Sequence, residues 1–62
     1  MLARYYDSSN GKFLDQGTID KPLVKGEPII MDERYVVIEI LPYQVDLKDN
    51  VLFQPILLKK QK

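Results

Sequence analysis

The chain has 62 residues, nine basic and nine acidic side chains, and neither cysteine nor histidine. That composition excludes disulfides, the common zinc ligands, and every nucleophile–base pair that needs a thiol or an imidazole. A zero net charge also gives no whole-molecule attraction to phosphate of the kind a nucleic-acid-binding domain usually shows.

A chain this short is one domain near the lower limit for independent folding, where a disulfide, a metal or a partner usually adds stability. With the first two removed, a partner subunit remains. The hydrophobic fraction is 45%, generous for a domain with so much surface to cover. A protein partner or a homo-oligomer is therefore expected. The start, Met1-Leu2-Ala3-Arg4-Tyr5-Tyr6-Asp7, does not read as a signal peptide. No apolar run approaches the ~20 residues of a membrane span. The expected location is cytoplasmic.

Turn chemistry cuts the chain into short extended runs. Leu2 to Tyr6 is the first, ended by Asp7-Ser8-Ser9-Asn10-Gly11, where Asn-Gly signals a hairpin. The return runs from Lys12 to Ile19, and Gly17 within it suggests a bulge. After Asp20-Lys21-Pro22, Leu23-Val24 and Lys25-Gly26-Glu27-Pro28, a strand is expected over Ile29-Ile30-Met31. Tyr35 to Leu41 is rich in β-branched residues. Regular alternation puts Val36, Ile38 and Ile40 on one face and Tyr35, Val37 and Leu41 on the other, so this strand is expected at the centre of a sheet. Tyr43-Gln44-Val45 extends it past Pro42, and Asp46 to Asn50 is a turn. Val51 to Leu58 is the last strand, and Pro55 should place it at an edge. No window carries a helical period, although a single 3₁₀ turn near Pro22 or before the last strand is compatible with the pattern.

The fold class expected is all-β, with about five short strands in a small barrel or open roll that begins with a bent hairpin. Residues 1–58 form the domain and 59–62 a solvated basic tail. Lys25-Gly26-Glu27-Pro28-Ile29-Ile30 followed by Tyr35-Val36-Val37-Ile38 resembles the central strand–turn–strand of SH3-like small barrels, a look shared by many small bacterial and phage proteins. The resemblance covers about half the chain and implies a fold only.

Candidate chemistry is sparse. Asp32 and Glu33 are adjacent, and Asp46 and Asp49 flank another turn, but carboxylates in turns cap backbone and stay solvated. Asp46 to Asn50 lacks the alternating oxygen ligands of a calcium loop. Ser9 has Lys12 three residues on, across a turn where that spacing aligns nothing. Gly11, Gly17 and Gly26 are isolated and form no phosphate loop. No catalytic residue, metal site or cofactor is expected, and the chain reads as a non-enzyme.

Two constellations remain. Leu2, Arg4 and Tyr6 share a face of the first strand, with Lys12 and Phe13 opposite and Lys59, Lys60 and Lys62 at the end. Aromatic and basic groups together can stack bases and hold phosphates, so Arg4, Tyr6, Lys12, Lys59 and Lys60 are the candidates for a nucleic-acid-binding small barrel. That reading ranks second because the net charge is zero. In the C-terminal strand, Phe53, Ile56, Leu57 and Leu58 cannot all face one core. An apolar edge strand is a pairing hazard unless covered, and the closing lysines suit gatekeepers beside it. The leading expectation is a non-catalytic protein-interaction module that works through this strand by pairing or by an apolar patch.

Overall fold

A computed structural model describes residues 1–61; Lys62, the end of the expected tail, lies outside the described residues. The described chain is all-β, with strands β1 (Leu2–Asp7), β2 (Phe13–Thr18), β3 (Pro28–Ile30), β4 (Arg34–Ile40), β5 (Gln44–Asp46) and β6 (Val51–Lys60). They form one curled, open half-barrel sheet in the order β2-β1-β6-β4-β3, with β5 also paired to β6. Among the described residues, no helix is long and apolar enough to cross a membrane.

The first hairpin forms where Asn-Gly requires it. Gly11 takes φ +73°, a left-handed conformation that costs glycine no Cβ clash. The Asp7 carboxylate accepts the Ser9 N–H at 2.8 Å and the Ser9 hydroxyl at 2.6 Å, so the carboxylate itself shapes the turn. The expected bulge moves: Gly17 stands in regular register opposite Ala3, while Tyr5 pairs Asp15 and Tyr6 pairs Phe13. Leu14 is the extra residue, and the shift turns it toward the core.

A second bulge resolves the pattern of the β-branched strand. Val37 pairs Leu58, but Glu39 pairs Leu57, which makes Ile38 the extra residue on β4. Before it, Tyr35 and Val37 face the core; after it, Ile40 does and Glu39 does not. Strict alternation would have grouped Ile38 with Ile40, whereas Ile38 is exposed.

The largest correction concerns the last strand. It is the centre of the sheet, not an edge: β1 lies along one side, and β4 and β5 follow one another along the other. Pro55 is accommodated by a gap. The opposite chain leaves the ladder between Ile40, paired with Ile56, and Gln44, paired with Phe53. The Pro55 carbonyl accepts the Leu41 N–H at 3.0 Å. A strand residue's N–H and C=O point to the same side. The missing donor of Pro55 therefore faces that interruption and leaves the β1 ladder untouched. The same interruption divides the expected single long strand into β4 and β5, which gives six strands instead of five.

β1 and β6 run parallel, with Leu2 opposite Phe53 through Asp7 opposite Leu58. A parallel pair needs a long crossover, and here β2 to β5 supply it. The strand also continues through Lys59 and Lys60, and the Gln61 N–H donates to the Arg34 carbonyl at 2.8 Å. The expected tail is thus built into the sheet as far as it is described.

The core is small. Ala3, Tyr35, Val37, Ile56 and Leu58 are buried together, and Tyr5, Leu14, Ile19, Leu23, Ile29, Met31 and Ile40 pack around them.

Candidate functional site

The central position of β6 decides what its apolar residues do. Ile56 and Leu58 are fully buried on the core face, and Phe53 and Pro55 are buried on the other, with Leu57 half-buried. Of the expected interaction residues, Phe53, Ile56 and Leu58 are therefore covered by the chain itself, and Leu57 in part.

The cover of the second face comes from β1. Leu2, Arg4 and Tyr6 do share a face, opposite Phe53, Pro55 and Leu57. The Arg4 side chain lies across the Phe53 ring, its guanidinium carbon 4.3 Å from the centroid. Its Nη1 reaches Asp46 Oδ2 at 2.9 Å, and its Nε donates to Gln16 Oε1 at 3.1 Å. This joins a cation–π contact to a charge-assisted hydrogen bond. Both side chains of the ion pair are largely shielded, at 15% and 23% exposure. The Arg4 hydrogen bond holds the Asp46 carboxyl below its ordinary range, helped by the Asp49 and Lys48 backbone, and Arg4 is raised in turn. Nearby, Tyr6 meets Phe13 edge to face at 5.8 Å.

The basic and aromatic candidates thus separate. Arg4 is occupied by Asp46, Gln16 and Phe53. Lys60 pairs with Glu33 at 2.8 Å, a bond that raises its pKa. Lys12 lies in the first turn, and Lys59 is exposed at the far end of β6.

Among the carboxylates, Asp46 is a structural residue: besides Arg4, it accepts the Lys48 and Asp49 N–H groups at the start of the β5–β6 turn. Among the described residues, no group of acidic side chains is arranged to hold a metal, and no pocket is present.

What the surface does offer is an apolar arm. β5, the 47–50 turn and the start of β6 form a hairpin end whose only strand partners, among the described residues, are each other and the beginning of β1. Five of the nine exposed large hydrophobic residues collect there: Met1, Tyr43, Val45, Leu47 and Leu52. Val45 stands opposite Leu52, and the Tyr43 hydroxyl donates to the Met1 sulfur at 2.9 Å. The polar residues between them, Gln44 and Asp46, share the other face with Phe53 and Val51.

Sequence reasoning divided this stretch between a strand extension and a turn. Its signal is nevertheless plain: Tyr43-Gln44-Val45-Asp46-Leu47-Lys48 alternates apolar and polar without a break. Such alternation marks a strand with one face covered, and here that face is uncovered: Val45 is 54% exposed, Leu52 59% and Leu47 89%. Compared with known proteins, the chain matches no family model, no curated protein and no solved structure.

Proposed function

We propose that this chain is a non-catalytic protein-interaction module whose binding surface is the β5–β6 arm. The observation that supports it is the uncovered apolar face of an amphipathic strand beside an unpaired strand edge. Soluble monomers tend to avoid that combination, and a binding partner removes it. The half-barrel shape and the resemblance over residues 25–38 to SH3-like barrels fit a small cytoplasmic accessory protein of bacterial or phage type.

The test is an affinity capture from the source cells with wild type and with the double variant Val45→Lys/Leu52→Glu, both verified as folded by circular dichroism. Specific proteins should be retained by the wild type and lost from the variant. Equal retention by both would reject the arm. Retention of nucleic acid, abolished by moderate salt and by replacing Lys12 and Lys59, would put the nucleic-acid-binding reading in its place.

A further inference from the structure

We infer that the occupant of the arm is a second copy of this chain, joined by antiparallel pairing of β5 with β5 across a two-fold axis. The inference rests on the arm being the binding surface, and it is carried by the three free edges of the sheet and by the self-complementarity of one of them.

The edges are not equivalent. β2 carries the Leu14 bulge and an exposed Asp15, and both features discourage further pairing. β3 and β5 each have three residues, but β3 begins on Pro28, which has no N–H to donate. β5 contains neither bulge nor proline, and its middle residue is Val45. Among the described residues, no backbone hydrogen bond reaches its outer side, and its only strand partner is β6.

The β5 edge also matches itself. A two-fold axis at Val45 places Val45 opposite its symmetry mate and Gln44 opposite Asp46. No like charges face each other, because the one carboxylate in the stretch meets an amide and is already held by Arg4. Val45 of both copies, flanked by Leu52 on each side, then makes one apolar stripe. An isologous contact of this kind closes on itself and uses the β5 edge of both copies.

A three-residue edge offers few backbone hydrogen bonds to a mate, so the dimer is weak and reversible, populated as concentration rises.

Because the chain has no cysteine, the register can be tested by single substitutions. Directly opposed residues in an antiparallel pair have Cα atoms about 4.5–5.5 Å apart, within disulfide range. Under mild oxidation, Val45→Cys should form a covalent dimer. Gln44→Cys, whose opposite residue is Asp46 of the mate, should form no covalent dimer. In sedimentation velocity, wild type should pass from monomer to dimer between low micromolar and millimolar concentration. Leu52→Glu should remain monomeric, while Ile30→Glu, on the β3 edge, should behave as wild type.

A wild type that stays monomeric throughout that range overturns the inference. The broader reading then survives only if the double variant still loses a cellular protein. A wild-type dimer in which Val45→Cys does not cross-link overturns it as well, because the copies would meet elsewhere.

Discussion

Truncating Leu58 to alanine should cost about 3 kcal/mol, within the 2–5 kcal/mol typical of a buried leucine. Leu58 has no exposed surface, stands opposite Val37 and belongs to a core of only five buried residues. A chain of this length holds roughly 3–9 kcal/mol in total, so one truncation removes a third or more of the stability. In thermal terms it lowers Tm by about 12–24 °C, at 4–8 °C per kcal/mol for a domain of this size. Leu52→Ala is the internal control. It removes the same atoms from the same strand and the same face, but from a site 59% exposed, and should cost less than about 0.5 kcal/mol. The assay is urea unfolding followed by circular dichroism at low micromolar protein, where self-association contributes little. The urea slope should be unchanged in both variants. A Leu58→Ala cost below about 1 kcal/mol, or equal costs for the two variants, would refute the assignment of Ile56 and Leu58 to the interior.

Asp46 gives a pH dependence with a definite sign. Its carboxyl lies below the ordinary value of 3.8 because Arg4 and the turn N–H groups bind the charged form. The unfolded state therefore binds the proton more readily, and the stabilisation is complete above the ordinary value and lost as pH falls through the depressed one. Asp46→Asn should reduce that acid limb in urea unfolding, while Asp7, depressed in the same direction by Ser9, still contributes; an unchanged limb would show that Asp46 is not coupled to folding. Two glycines should separate in the same assay. Gly11→Ala forces a side chain into φ +73° and should cost about 1 kcal/mol. Gly17→Ala meets no atom within 4 Å and needs no left-handed backbone, so it should be neutral or slightly stabilising.

Local chemistry in the sequence determined the fold class, the first hairpin, and the extended character of nearly every strand. Asn10-Gly11, Pro28 and the β-branched run at 36–38 act over a few residues, so their consequences can be read without knowing the rest of the chain. The facing of residues was legible only where alternation is unbroken. At Leu14 and Ile38 a bulge shifts the phase by one residue, and the cause is the register of a partner strand distant in sequence. The same limit explains the misplacement of the last strand. Pro55 argues for an edge on local grounds, and nothing near it announces that the facing chain will leave a gap at residues 41–43. Nor does composition reveal that β1 returns parallel to β6, which lets Arg4 cover Phe53 and removes the apparent surplus of apolar residues there. The alternation over 43–48 was visible from the start. Its exposure was decided by tertiary structure alone, because a strand's apolar face is covered only if another part of the chain can reach it.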